Sequence, residues 1–495
     1  MSIRICITLF LFLTGNLLHA ETIAPQVAGA FYPADKEQLK SMVDDFLAQA
    51  PTQTLKGDLL GGLSPHAGYI YSGSTAARFY RLLRGRSYDT AIILASGHRM
   101  GIKGAATIQS GTFATPLGSV AINADMIQTL MKLTPLIEHK PEAFQGEHAV
   151  EVQLPFLQTV LNNAKLVPLL MNTDDPRVAQ EIGAALAKIM KPGKVLLIVS
   201  SDLAHYPHKN VARVVDLATL EAMRLAHDDP EYFWLANRML MERGPKNMVC
   251  TYCGEAAALT ALHAVKPFKG QSRVLGYINS GELAHGEPDR AVGYAAVAWT
   301  KSAPAPQRPQ LTKTQKDALL KLSREALVNY IAKKENPKRA IWNDLEFNLP
   351  AAVFMTLRRK DRPHAASLRG CIGSLVCDLP LAEAVQAYAV RSAVEDPRFR
   401  PVTAEELNLI TIEVSMLTPF RKVSSAQAVK PGQGVLIRQG RNSGLFLPSV
   451  WEDIPDKTDF LNELCSQKAH LPDDCWNDPK TEIQVFDAEK FGEKN

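Results

Sequence analysis

Three histidines and an aspartate follow directly on apolar runs of this 495-residue chain. Each run ends in serine, and the side chains that come after the runs are His66, His98, Asp202 and His205. Uninterrupted apolar runs are typical of strands buried on both faces of a parallel sheet. Ligands of open α/β sheets bind beyond the carboxyl ends of the strands. We therefore expect the four side chains to converge on one cleft. Imidazole and carboxylate are ligands for iron, copper or zinc.

A Cys-x-x-Cys motif adds two thiols, Cys250 and Cys253. Such a pair forms a redox dithiol, a set of metal ligands or a disulfide. The chain has no second motif of this kind, which disfavours a structural zinc site of four cysteines. No thioredoxin-like context surrounds it. One cysteine as third ligand beside His66 and His98 fits best, because two imidazoles and one anionic ligand leave positions for O2, water or substrate.

A further spacing, His-x-x-Glu, places His148 and Glu151 on one face if the segment is helical. The alternative interpretation is an ordinary helix start with Glu147 near its positive end. The sequence offers no second helix of this type, so a di-iron bundle is not supported.

The composition is that of a globular protein, with 46% hydrophobic and 21% charged residues. A net charge of +4 gives no support to a nucleic-acid surface. The first twenty residues combine Arg4, the apolar stretch Ile5 to Leu13 and the small residue Ala20. This pattern predicts a signal peptide over 1–20 and an exported protein, periplasmic or secreted. No later stretch is long and apolar enough to span a membrane.

A proline-rich segment, 301–310, reads as a semi-rigid linker between two domains, 24–300 and 311–495. Before it, strand-like runs alternate with helical ones such as Asp35–Ala48 and Pro176–Met190, which predicts an α/β domain with a largely parallel central sheet. After it, the pattern predicts an α+β domain. Its expected elements are a helix over Thr312–Lys333, a strand over Ala351–Leu357, a helix over Leu381–Val394, an alternating strand over Leu409–Leu417, and a hairpin of Val435–Ile437 with Leu445–Leu447. Six of the seven cysteines lie beyond the first twenty residues, and proximity favours Cys465 with Cys475 as a disulfide.

Several motifs in order give the first domain a specific resemblance. They are Ala28-Gly-Ala-Phe-Tyr-Pro33, Ser64-Pro-His-Ala-Gly-Tyr69, Glu147-His-Ala-Val-Glu151, Ser200-Ser-Asp-Leu-Ala-His205 and Val292-Gly-Tyr-Ala-Ala296. From about Ala24 to Trp299 the chain resembles the Memo family, protein B of the bacterial AmmeMemoRadiSam system. The resemblance implies a fold like that of class III extradiol dioxygenases, with His66, His98 and Cys253 at the metal-site positions. It places Asp202 and His205 at the remaining cleft positions.

The second domain resembles the AMMECR family, protein A of the same system, over roughly Leu311 to Phe486. The motifs that carry this resemblance are Leu368–Leu375, Asp396–Phe399, Ile412–Ser415 and Gly444–Pro448. The family has an α+β fold and implies no settled reaction. Within Leu368–Leu375, Cys371 is either a reactive thiol in the electropositive surroundings of Arg369 or a buried cysteine in a tightly packed strand. We expect the latter, with Arg369 on the opposite face, and the nearest histidine in sequence is His364.

These observations predict a redox protein with one iron or copper ion, held by His66, His98 and Cys253. His205, assisted by Asp202, would shuttle a proton or orient O2 or the substrate, a small molecule or a peptide. A cysteine where dioxygenases have a carboxylate argues against ordinary ring cleavage, because thiolate changes metal preference and redox poise. The alternatives are a non-catalytic module that binds a peptide or protein in the same cleft, and a redox pair of Cys250 with Cys253. The family also implies a radical S-adenosylmethionine enzyme as partner, which conflicts with export.

Overall fold

The computed structural model describes residues 21–301, 308–363 and 366–493. The predicted signal peptide, residues 302–307 of the predicted linker and His364 lie outside this described part. The chain divides into two compact units. The first contains the described residues up to Leu203, then Cys253–Leu283 and the strand that follows from Tyr294. The second contains Ala204–Tyr252, Ala284–Gly293 and the described residues from 308 onward. The predicted domain boundaries stay a prediction.

The strands alternate with helices in the first part of the chain and cluster in the last part. In chain order they are β1 (Glu21–Ile23), β2 (Asp58–Ser64), β3 (Thr90–Ser96), β4 (Ile102–Thr107), β5 (Gly111–Thr115), β6 (Gly118–Ala121), β7 (Ile137–His139), β8 (Lys165–Asn172), β9 (Val195–Ser200), β10 (Gly270–Asn279), β11 (Gly293–Lys301), β12 (Val353–Arg359), β13 (Leu368–Gly373), β14 (Ile410–Leu417), β15 (Arg421–Val423), β16 (Gly434–Gln439), β17 (Asn442–Phe446), β18 (Glu482–Phe486) and β19 (Ala488–Gly492).

The helices are α1 (Lys36–Gln49), α2 (Tyr69–Tyr80), α3 (Ala124–Leu133), α4 (Leu154–Val160), α5 (Pro176–Ile189), α6 (Lys209–Leu225), α7 (Pro230–Arg243), α8 (Glu255–Val265), α9 (Lys313–Lys333), α10 (Leu381–Val394) and α11 (Lys457–Glu463). The helices predicted at Asp35–Ala48 and Pro176–Met190 are present as α1 and α5. Each follows an aspartate whose side chain accepts a hydrogen bond from a first-turn N–H, Asp35 for α1 and Asp175 for α5. None of the described helices has both the length and the apolarity of a membrane span.

An eight-stranded sheet forms the centre of the first unit, in the order β10-β11-β2-β9-β3-β8-β4-β7. Strands β2, β9, β3 and β8 run parallel to one another, while β11 and β4 pair antiparallel with β2 and β8. Nearly every residue of β2, β3 and β9 is buried, because helices cover both faces of a parallel sheet. The predicted α/β fold is confirmed. Since β2, β9 and β3 are neighbours, their carboxyl ends meet at one edge.

The second unit contains two antiparallel four-stranded sheets, β13-β12-β14-β19 and β15-β18-β16-β17. Strand β14 has the predicted apolar face: Ile410, Ile412 and Val414 are almost fully buried in a core shared with α9 and α10, although Thr411 on the other face is also buried. Helix α10 has the predicted bounds, and β16 and β17 form the predicted hairpin. The α+β fold is therefore confirmed. The disulfide predicted between Cys465 and Cys475 is also present, in the core beside the second sheet.

Helices α6 and α7 also belong to the second unit, although they precede the predicted linker. Their apolar faces form a core cluster that includes Leu349, which is fully buried. At the end of α7, the Arg243 guanidinium bonds both carboxylate oxygens of Glu383 on α10, at 2.5 and 2.8 Å. Both side chains are about 95% buried, with exposed fractions of 4% and 5%. A buried charge needs such a partner, so this pair fixes α7 against α10.

Candidate metal centre

His66 lies two residues beyond the end of β2, with an exposed fraction of 2%. Its backbone N–H donates to the Asp202 carboxylate at 2.9 Å. Asp202 comes two residues after β9, the neighbouring strand, which places it in reach of the His66 backbone. The His66 ring contacts Ser200 Oγ through Nδ1, at 3.2 Å. Its other ring nitrogen, Nε2, faces the Cys253 sulfur at 3.5 Å.

His98 lies two residues beyond the end of β3 and is oriented by Glu147. The Glu147 carboxylate accepts from the His98 backbone N–H at 2.6 Å and contacts ring Nδ1 at 3.0 Å. The same carboxylate accepts from the backbone N–H groups of His148 and Ala149, so it is held from several sides. His98 Nε2 is thereby directed at the Cys253 sulfur, 2.9 Å away.

Cys253 precedes helix α8 and reaches the same edge of the sheet from a different segment. Its backbone N–H donates to the Asp202 carbonyl at 3.1 Å. The next residue, Gly254, donates its N–H to Ser201 Oγ at 2.6 Å. A Cβ atom at Gly254 would lie 2.9 Å from the Ser201 side chain, closer than real Cβ contacts allow. Glycine therefore lets Cys253 approach the ends of β9 and β3.

The geometry of these donors fits a metal ion. The Nε2 atoms of His66 and His98 and the Cys253 sulfur converge, and the ligand atoms of the three residues lie within 4.8 Å of one another. Donor atoms about 2.0–2.3 Å from a tetrahedral metal are separated by roughly 3.5 Å, which the observed 2.9 and 3.5 Å approach. Both rings bond a neighbour through Nδ1, the second contact that metal-ligating histidines normally make. The residues present therefore fit a bound metal.

Electrostatics distinguish the two rings near Glu147. Burial opposes the protonated form of His98, but hydrogen bonds to Cys253 and Glu147 outweigh it and raise the His98 pKa to about 10. Burial likewise opposes the charged form of Glu147, whereas its bonds to His98 lower the Glu147 pKa to about 2. His148 stacks on His98 with ring centroids 4.9 Å apart, and burial lowers the His148 pKa to about 4. His148 is therefore a neutral ring beside an ion pair.

The predicted site residues are divided between the two units. His66, His98, Cys253 and Asp202 come together in the first unit. His205 belongs to the second unit, where its backbone N–H donates to the Cys250 carbonyl at 3.1 Å. The Cys250 sulfur lies 3.4 Å from His205 Nδ1. Asp202 positions the His66 backbone in this structure, and the catalytic roles of Asp202 and His205 stay predictions.

The two sulfurs of the Cys-x-x-Cys motif face different histidines, Cys250 toward His205 and Cys253 toward His98. In the described part of the chain the disulfide joins Cys465 and Cys475, and Cys250 and Cys253 are not bonded to each other. This arrangement favours the interpretation in which one thiol of the motif is a metal ligand.

The predicted helical pairing of His148 with Glu151 is wrong. Helix α4 begins at Leu154, and a 3-10 turn precedes it at Glu151–Gln153. His148 therefore faces the rings of His66 and His98, whereas Glu151 accepts from the backbone N–H groups of Gln26 and Val27. Glu147 is likewise not a residue at a helix start: it holds His98. Sequence reasoning missed this role, although the Glu147–Glu151 motif was the signal that marked the segment.

Cys371 departs from its predicted burial, since it is only half-buried in β13. Leu357 pairs with Gly370 and Arg358 with Leu368, so Arg369 is the extra residue of a β-bulge. The bulge does not bring Arg369 to the thiol, because the Arg369 guanidinium binds the Glu406 carboxylate at 2.8 and 2.9 Å.

Close packing explains the glycine that precedes Cys371. A Cβ atom at Gly370 would lie 2.0 Å from the Ser392 carbonyl oxygen on α10.

We predict that Cys371 reacts with iodoacetamide as an ordinary accessible thiol, because Arg369 is bound to Glu406. The substitution Arg369→Ala should leave the rate at neutral pH unchanged within about twofold. Cys377 should react more slowly than Cys371, since burial raises the pKa of the Cys377 thiol. Peptide mass analysis of the native protein measures both rates. A marked slowing by Arg369→Ala would identify Cys371 as an activated thiol instead.

Known protein families match both the first and the last part of this chain. Residues 24–298 match the family model of Memo-like proteins, and residues 320–491 match that of AMMECR1. A MEMO1 family protein of Thermoplasma volcanium is 32% identical over 274 residues, which are 55% of this chain and 96% of the relative. A MEMO1 family protein of Nitrosopumilus maritimus is 30% identical over 278 residues, covering 55% and 98%. A solved structure, an uncharacterized protein of Pyrococcus horikoshii, is 36% identical and covers 37% of this chain and 94% of its own, with a TM-score of 0.36.

The fold and the site thus define an α/β protein whose central sheet carries two histidines and a cysteine at one edge. The chain belongs to the Memo family. It joins a Memo domain and an AMMECR domain in one polypeptide, as the sequence motifs predicted.

Proposed function

We propose that the Memo domain is a redox protein with one iron or copper ion, held by His66 Nε2, His98 Nε2 and Cys253 Sγ. The observation that carries this proposal is the convergence of the three donor atoms, with each of the two rings oriented by a partner at its Nδ1. Soft thiolate with two imidazoles suits iron, copper and zinc. Of these, iron and copper supply one-electron chemistry and open positions for O2 or substrate.

The residues around the donors supply orientation and charge. Glu147 holds the His98 ring from behind and would balance part of the positive charge of a bound ion. Asp202 fixes the His66 backbone. Cys253 must lose its proton to bind a metal, and burial raises the pKa of that thiol. Metal binding therefore releases the Cys253 proton and also the proton that the raised pKa of His98 keeps on its Nε2, so affinity should rise with pH.

The proposed substrate is a small molecule or a peptide. His205 would donate or accept a proton during its conversion, assisted by Asp202. The proposal does not include ordinary ring cleavage, because the third ligand is a thiolate and not a carboxylate. An exported location and a radical S-adenosylmethionine enzyme of the AmmeMemoRadiSam system as partner stay predictions.

The test is metal content of the purified chain, followed by O2 consumption with an added reductant. We expect about one iron or copper per chain and O2 uptake above that of the reductant alone. A matched control is the His139→Ala variant, which removes an imidazole bonded to the Gln109 backbone. A chain that binds no metal under reducing, chelator-free conditions would contradict the proposal and favour a non-catalytic binding module.

A further inference from the structure

A chain of buried hydrogen bonds lies behind the His66 ring. It runs from Tyr80 through Gln153 and Ser200 to His66, and none of the four residues has more than 2% of its surface exposed. The Tyr80 hydroxyl donates to Gln153 Oε1 at 2.9 Å, and Gln153 Nε2 donates to Ser200 Oγ at 2.8 Å. Ser200 Oγ then contacts His66 Nδ1 at 3.2 Å. The elements that supply these residues are α2, the turn before α4, β9 and the loop after β2.

The orientation of the Gln153 side-chain amide determines which groups in this chain of hydrogen bonds donate and which accept. Its Nε2 group lies 2.9 Å from the Pro65 carbonyl oxygen, which only accepts hydrogen bonds. Reversing the amide would place two acceptor oxygens against each other in a buried site, which is costly. Gln153 therefore donates to Ser200 and does not accept from it.

The Ser200 hydroxyl determines which group donates in the last hydrogen bond, the one to His66. A hydroxyl has one proton, and the Ala149 carbonyl oxygen, at 2.5 Å, accepts it. With its proton used there and one lone pair occupied by Gln153, Ser200 Oγ offers His66 only an acceptor. The His66 ring must then donate, so its proton lies on Nδ1.

We infer that Ser200 and Gln153 are positioning residues that hold His66 in the tautomer with the proton on Nδ1. The lone pair of Nε2 is then presented to the Cys253 sulfur, 3.5 Å away, and hence to the metal position. As regards the metal, this inference rests on the proposed function. The tautomer itself is a property of the metal-free chain.

The two histidine rings thus have chemically different partners at Nδ1. His98 is backed by the Glu147 carboxylate, whereas His66 is backed by a neutral hydroxyl. A carboxylate makes the ring a stronger electron donor than a hydroxyl does. Ser200 therefore fixes orientation and tautomer at His66 without adding a negative charge to the site.

The experiment compares the full-length chain with Ser200→Ala and with Gln153→Met, which removes the amide donor at similar volume. Thr107→Val is the matched control, because the Thr107 hydroxyl is also fully buried and donates to a carbonyl, that of Pro168, at 2.8 Å. Ring nitrogen resonances of ¹⁵N-histidine, recorded on the metal-free protein at about pH 8.5, report the tautomer above the ordinary histidine pKa. Titration with Zn²⁺, a redox-inert probe, reports the affinity.

We expect the wild-type His66 ring to carry its proton on Nδ1, and Ser200→Ala to shift it toward a mixture of tautomers. Zn²⁺ affinity should fall about 10–100-fold in Ser200→Ala and less in Gln153→Met, with no change in Thr107→Val. A wild-type ring protonated on Nε2, or an unchanged tautomer in Ser200→Ala, would overturn the inference. If the tautomer is as expected and no metal binds, the positioning role stands and the proposed function fails.

Discussion

Replacing His66 or His98 should abolish stoichiometric binding of iron or copper. Each ring supplies one of three protein ligands, and the two remaining donors cannot hold an ion of this kind tightly. His98→Ala leaves the buried Glu147 carboxylate without its ring partner, so His98→Asn, which keeps a hydrogen-bond donor there, accompanies it. His66 is buried, so His66→Gln accompanies His66→Ala to retain volume. Metal analysis after desalting measures the loss, and circular dichroism verifies the fold.

The control for these variants is His139→Ala, on a strand of the same sheet but bonded to the Gln109 backbone N–H. It should retain the full metal content. Tightly bound metal at wild-type levels in both the His66 and the His98 variants would show that the assigned ligands are wrong.

Cys253→Ser should weaken metal binding by more than about 100-fold, whereas Cys250→Ser should weaken it less than about tenfold. A serine hydroxyl is a poor replacement for a soft thiolate, and only the Cys253 sulfur faces both His66 and His98. The Cys250 sulfur instead contacts His205 Nδ1. Competition with a chromophoric chelator gives both affinities. Equal losses in the two variants would point to a dithiol unit of both cysteines.

Apolar runs and the residues after them predicted a large part of the site. The ends of β2 and β3 place His66 and His98 as expected, because side chains that follow neighbouring parallel strands meet at one sheet edge. The neighbouring position of β9 between β2 and β3 depends on long-range pairing, which spacing does not encode. Family resemblance, and not spacing, selected Cys253 over Cys250.

The residues behind the ligands were not predicted. Ser200 is the last residue of an apolar run, and Gln153 precedes a helix, so neither has a sequence pattern that marks a hydrogen bond to His66 or to its neighbours. Glu147 and His148 were interpreted through helical spacing, which fails because the segment turns before α4 begins. The place of α6 and α7 in the second unit involves long-range contacts, among them the apolar cluster with Leu349 and the buried ion pair of Arg243 with Glu383, 140 positions apart in sequence.

The most direct measurement is anomalous scattering from crystals of the full-length chain loaded with iron or copper. The proposed function predicts one metal peak, coordinated by His66 Nε2, His98 Nε2 and Cys253 Sγ, with Glu147 and Ser200 behind the two rings. A peak elsewhere in the chain, or no peak at these three atoms in a fully loaded crystal, would contradict it.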